Sequence, residues 1–148
     1  MQIYIDQSRK IEYTSQDTVV AYSNGTQKSI LISAEEKRKV QRIFRDASKP
    51  EIFMFKTFAI LIYLLIKENL PSIDAIRIDR EYSGKEWLIK QYLLELLRRH
   101  GFMFEKGSIE FYYVGKKHKS HLQALSVFQQ KLRPDIIVNH EEILPYIL

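Results

Sequence analysis

The sequence predicts an α/β fold: a mixed sheet of about five strands, three of them antiparallel and the rest parallel strands reached by crossovers, flanked by helices. Three observations lead there. The first 33 residues fall into short runs of alternating polarity separated by turn residues. A long apolar stretch over residues 52–71 follows a helix-start signal. The second half then runs strand, helix, strand, helix, the order that generates crossover connections.

The elements follow in order. In QIYID, Ile3 and Ile5 share one face of a first strand. A polar SRK turn leads to KIEYTS and then DTVVAYS as second and third strands, with Asn24-Gly25 as a turn. QKSILIS either extends the third strand or pairs with it as a hairpin. Ser33 followed by Glu36 matches the capping box, in which hydroxyl and carboxylate each satisfy a free backbone N–H at a helix start. A helix over about Ala34 to Arg45 is expected, with Val40, Ile43 and Phe44 inward.

The stretch IFMFKTFAILIYLLIKENLP has an uninterrupted apolar run from Phe58 to Ile66 only, closed by Lys56 and Lys67. That is far short of the roughly 20 residues needed to cross a bilayer, so it is predicted as a central buried helix. Pro50 suits its first turn and Pro71 its stop. IDAIRID is a fourth strand. A helix from about Lys85 to His100 repeats apolar residues four apart, Leu88, Tyr92, Leu96 and Ile89, Leu93, Leu97, with Gly101 as the C-terminal cap. SIEFYYVG is the last clear strand. After KKHKSH comes a helix carrying Leu122, Leu125, Phe128 and Leu132 up to Pro134, and DIIVNHEEILPYIL reads as either a short strand or a helical turn. Without repeats or linkers, one domain over 1–148 is expected.

Composition bounds the function. The chain has 148 residues, 45% hydrophobic, enough for one sizeable core. Twenty-three Lys and Arg against eighteen Asp and Glu leave a formal charge of +5, which favours a polyanionic partner. With no cysteine, disulfides and thiolate zinc sites are excluded, and any metal must sit on oxygen or imidazole. MQIYIDQS lacks a basic segment followed by an apolar core, so the expectation is a cytoplasmic protein without a secretory signal or a membrane anchor. The oligomeric state is left open, a homodimer included. No G-x-S-x-G elbow and no Gly-rich phosphate loop occur, which disfavours serine hydrolases, NTPases and dinucleotide enzymes.

The chemistry concentrates where AIRID runs into REYSGKEW. Asp79 ends an apolar strand and Glu81 shares its face if the strand continues; carboxylates next to a core require a cation, a metal or water. A crossover that places the fourth strand beside the first in parallel puts both carboxyl ends on one sheet edge, so Asp6 and Asp79 are expected to meet there. Mg²⁺ or Mn²⁺ would relieve the repulsion by accepting their oxygens, and such ions activate water and stabilise the leaving oxygen of a phosphodiester. Taken singly, Asp6 also suits a turn cap and Asp79 an ion pair with Arg77 or Arg80.

The strand order, with IYIDQS opening the chain and IRIDREY as fourth strand, resembles the ribonuclease H-like superfamily of nucleases, which includes Holliday-junction resolvases and transposase cores. The resemblance covers most of the chain on motifs of a few residues each. It implies Asp6 and Asp79 as metal ligands and a further acid from the first or the final helix. Glu35 and Glu36 are the candidates in the first, although the cap already employs Glu36; Asp135 and Glu141 are those near the last. Asp135 is placed with Asp6 and Asp79 as the expected metal set, and Glu81 beside them as a catalytic acid.

A second cluster is VGKKHKSHLQAL. Lys116, Lys117, Lys119, His118 and His121 crowd the expected start of a helix, where free N–H groups favour anions. The resemblance implies a basic or histidine-bearing loop near the scissile phosphate, with the lysines holding substrate and His118 and His121 shuttling a proton. The bland alternative is a solvated loop. Zinc on the two histidines lacks a third ligand of suitable spacing. Trp87 and the pair Tyr112-Tyr113 are expected as core or sheet residues rather than base-stacking platforms. The leading expectation is a metal-dependent nuclease acting on DNA or RNA; its rival is a non-catalytic nucleic-acid-binding or protein-interaction module on the same fold.

Overall fold

The structure, a computed structural model, describes residues 1–24, 26–112, 122–124, 127 and 132–147. Among these, six strands form one mixed sheet: β1 (Gln2–Ser8), β2 (Thr18–Ser23), β3 (Gln27–Ile32), β4 (Ala75–Asp79), β5 (Ile109–Tyr112) and β6 (Ile136–Val138). Their spatial order is β5-β4-β1-β2-β3-β6. The pairs β1–β2 and β2–β3 are antiparallel, and β1–β4, β4–β5 and β3–β6 are parallel. The fourth strand thus lies beside the first, as the crossover argument requires.

Alternation assigns the two sheet faces. Ile3 and Ile5 on β1, Val20 and Tyr22 on β2, Ile30 and Ile32 on β3, and Ile76 and Ile78 on β4 are buried in the main core. Onto this face pack α1 (Ala34–Asp46), α2 (Phe53–Ile66) and α3 (Glu86–Arg99), through Val40 and Phe44, the apolar run of α2, and Ile89, Leu93 and Leu97. Burying a side chain of this size contributes about 1.5–3 kcal/mol, so the sheet-to-helix layer dominates the stability. On the opposite face Val19, Ala21 and Leu31 meet Ala124 and Val127. Because β2 is covered on both sides, every one of its residues is buried.

Helix ends follow their signals in part. Ser33 accepts the Glu36 N–H at 3.2 Å, and Asp17 adds a second acceptor for the Ala34 N–H at 2.8 Å. The Glu36 carboxylate does not complete the box: it accepts from the His140 backbone N–H at 2.9 Å and contacts His140 Nδ1 at 2.5 Å. Gly101 has φ of +83°, the left-handed conformation a helix stop demands and a side chain opposes. The α2 helix spans 14 residues, and among the described residues no helix is long and apolar enough to cross a membrane.

Several expectations need correction. KIEYTS is a loop of local turns: the Tyr13 N–H donates to Lys10 O at 3.0 Å and the Gln16 N–H to Tyr13 O at 3.1 Å, while the Ile11 N–H donates to Tyr82 Oη and the Lys37 amine adds a second donor to both carbonyls. QKSILI is the third strand, paired with β2 as a hairpin; Gly25 of the turn lies outside the described residues. The tail supplies both of its readings in succession, strand β6 and then a short helix, His140–Ile143, closed at its start by a full Asn139–Glu142 capping box. The sheet therefore has six strands rather than about five. In the stretch read as the final helix, Ala124 and Val127 face the sheet while Leu122 and Leu132 are exposed; Leu125 and Phe128 lie outside the described residues.

Candidate metal centre

Parallel pairing sets Tyr4 opposite Arg77 and Ile5 opposite Ile78. One step further along both strands come Asp6 and Asp79. Since Ile5 and Ile78 point into the helical layer, strict alternation turns the two aspartates onto the other sheet face. There Asp6 lies level with Ala21 on β2, which packs toward Ala124 and Val127. Just past the end of β4, Glu81 turns back to the same place. Asp6, Asp79 and Glu81 each offer a carboxylate oxygen, and these oxygens all lie within 4.8 Å of one another.

Local contacts hold the three acids in place. Asp6 Oδ1 accepts the Gln7 N–H at 2.7 Å, and the residue is only 2% exposed. The backbone of Glu81 is held from the β1–β2 loop: Lys10 Nζ donates to Glu81 O at 2.8 Å, and the Ile11 N–H donates to Tyr82 Oη at 3.1 Å. Tyr82 is locked in turn against Phe55 and Phe58, with ring centroids 5.7 and 5.5 Å away. Behind this loop, Lys37 is wholly buried, and its amine donates to Tyr13 O at 2.7 Å, Thr18 Oγ1 at 2.8 Å and Lys10 O at 3.4 Å. Burial pushes that amine down to about 8.

The electrostatics are those of crowded acids. Burial, then the Asp79 charge, raises Asp6 to about 7, against the lowering effect of the Gln7 N–H. Burial, a hydrogen bond to Asp79 and the Asp6 charge raise Glu81 to about 8. Three carboxyl groups at this separation repel when all are ionised, and Asp6 and Glu81 hold their protons toward neutral pH.

The two arginines considered as partners of Asp79 bond elsewhere. Arg77 pairs with Glu110 at 3.9 Å and donates to Ser108 O at 3.2 Å; Arg80 Nε donates to Phe111 O at 3.3 Å. Asp135 does not join the cluster. Its carboxylate accepts the Ser29 N–H at 2.8 Å on β3, two strand spacings from Asp6, or roughly 10 Å. Glu35 pairs with Lys39 at 3.7 Å, Glu36 is taken by His140, and Glu141 is exposed. Lys116, Lys117, Lys119, His118 and His121 lie outside the described residues, as does Tyr113. Trp87, expected in the core or sheet, is exposed on the first turn of α3.

The donor set suits a hard divalent cation: three carboxylates, no sulfur, and oxygens close enough to share one ion. Such an ion would also offset the mutual repulsion that adds to burial in raising Asp6 and Glu81. No protein-family model, curated protein or solved structure matches the chain.

Proposed function

We propose that this chain is a metal-dependent nuclease of ribonuclease H-like architecture, hydrolysing phosphodiester bonds of DNA or RNA with Mg²⁺ or Mn²⁺. The observation that carries the reading is the meeting of Asp6, Asp79 and Glu81 at the carboxyl ends of adjacent parallel strands. Supporting it are the antiparallel meander β1–β2–β3 followed by a fourth strand parallel to the first, the arrangement on which the resemblance rests. The formal charge of +5 suits a polyanionic substrate.

In this reading Asp6, Asp79 and Glu81 hold the cation, which when bound supplies a water of lowered pKa and neutralises charge at the phosphate. Asp6 is the fixed member, buried and oriented by the Gln7 N–H. Glu81 is carried on a segment clamped by Lys10 and Ile11, and both Asp6 and Glu81 give up their protons as the site loads. Of the two raised acids, Asp6 at about 7 lies nearest in strength to neutral solution, with Glu81 at about 8 just above it.

The test pairs binding with cleavage. Mn²⁺ titrated into the native chain should raise its melting temperature, and Asp6→Asn and Asp79→Asn should abolish the rise. The same ion should support cleavage of labelled single- and double-stranded DNA and RNA by the native chain only. Binding without cleavage of any of them would leave a binding module; absence of the thermal response would remove the metal centre.

A further inference from the structure

Trp87 is the chain's only tryptophan and is 61% exposed. It stands on the wall between two grooves, which share Trp87 and Lys90. The first, about 470 Å³, lies between α3 and the sheet edge and is lined by Arg80, Glu110 and Phe111 among others. The second, about 480 Å³, runs along the outer face of α3 past Leu94 and Arg98 to Lys106. Four cations line the pair, Arg80, Lys90, Arg98 and Lys106, against the acids Glu86, Glu95 and Glu110. Of those acids Glu110 is already paired with Arg77 at 3.9 Å.

The pattern along α3 is specific. Trp87 is followed three positions on by Lys90, and Leu94 four positions on by Arg98, so apolar and cationic groups alternate along one helix face. Cores of protein–protein interfaces are depleted of charge, whereas a strand of nucleic acid presents bases and phosphates in turn. An exposed indole face stacks on a base only if that base is free of a duplex neighbour, which selects single strands. Arg80, between Asp79 and Glu81 in the chain, lines the first groove at the end of β4, so a strand leaving the groove would turn round that strand end to reach the acids on the other sheet face.

We propose that this double groove binds a single-stranded segment of nucleic acid, with one base stacked on Trp87 and phosphates held by Lys90, Arg98 and Lys106, on a path that leads past Arg80 to the carboxylates. As the path to a reaction centre it rests on the nuclease reading; as a binding site it does not.

The test uses the full chain in EDTA, where no metal-dependent step can occur. Titration with a short oligothymidylate should quench or shift the emission of Trp87 to saturation, and the response should weaken steeply with added salt. By anisotropy of a labelled strand, Trp87→Ala should bind about five- to a hundredfold more weakly, the loss of one stacked base, while Trp87→Phe keeps most of the affinity. Lys90→Gln with Arg98→Gln should flatten the salt dependence. Circular dichroism verifies that these surface variants stay folded. The proposal is overturned if a duplex of the same length binds as tightly as the single strand, if polyglutamate alters the emission as much as the oligonucleotide does, if the emission changes with protein concentration alone, or if Trp87→Ala binds like the native chain. The two readings separate cleanly: Asp79→Asn should lose cleavage yet keep the emission response, and cleavage by the native chain with a silent Trp87 would remove this groove while leaving the nuclease.

Discussion

Asp6 and Asp79 occupy successive positions past a paired Ile5 and Ile78 on two parallel strands, on the sheet face opposite the one that buries those isoleucines. That arrangement places like charges together with Asp6 only 2% exposed and Asp79 and Glu81 half-buried. Its consequences can be measured one at a time.

Neutralising one acid should stabilise the metal-free protein. Asp6→Asn keeps an oxygen for the Gln7 N–H at 2.7 Å while removing a charge from the cluster. At pH 8 the variant should be more stable to urea than the native chain by about 1 kcal/mol, and at pH 5 the difference should vanish, because Asp6 is then protonated in the native chain. A variant less stable at both values would show that the site is not under repulsion.

The pH dependence of the native chain follows from the same groups. Asp6 and Glu81 are raised to about 7 and about 8, so the folded state holds protons that the unfolded chain releases from about pH 4 upward. Stability from these two groups is therefore greatest below about pH 4 and declines as pH rises through about 8. Saturating Mn²⁺ should cancel the decline by replacing the protons, and Mn²⁺ affinity should fall as pH drops below about 7. Melting temperatures across this range, with and without Mn²⁺, check both signs; Asp6→Asn combined with Glu81→Gln should remove the slope.

Lys37 should prove a structural lysine with an effect at the carboxylate cluster. Lys37→Ala removes the donor to Thr18 Oγ1 and one of the two donors to Tyr13 O, and opens a void under the β1–β2 loop, costing about 2–4 kcal/mol in urea denaturation. Because the same loop holds Glu81 through Lys10, the variant should also bind Mn²⁺ more weakly at temperatures where it is fully folded. Calorimetric titration reads the second effect separately from the first.

Glu36 should matter through His140 rather than through its own helix. Its carboxylate is held below the usual range by the His140 backbone and ring contacts, so this contribution is present above the ordinary carboxylate range and is lost as pH falls through the lowered value. Glu36→Ala should cost about 1–2 kcal/mol and speed proteolysis near residues 139–147, with α1 retained through its Ser33 cap.

What was legible in the sequence is what neighbours along the chain decide. Alternation in QIYID and AIRID placed isoleucines on one side and aspartates on the other; the run Phe58–Ile66 required burial all round; Gly101 marked a helix stop. The meeting of Asp6 with Asp79 was also within reach, because a helical crossover fixes the direction of the strand that follows it. The rest depended on partners far apart in the chain. KIEYTS has strand-like alternation, but its backbone closes local turns, Tyr13 N–H to Lys10 O and Gln16 N–H to Tyr13 O, and these are braced from afar by Lys37 on Tyr13 O and by Tyr82 on the Ile11 N–H, so no strand forms. Ile136–Val138 becomes a strand only because β3 presents an open edge about a hundred residues earlier, and the same pairing draws Asp135 to Ser29 and away from the acids it was expected to join. Trp87 stays in water because Ile89, Leu93 and Leu97 already fill the face of α3 that the core accepts. Periodicity specifies which face of an element is apolar, a property of local spacing; which charges end up within a few ångströms depends on strand register and on competition for hydrogen bonds, and those are settled only when the whole chain packs.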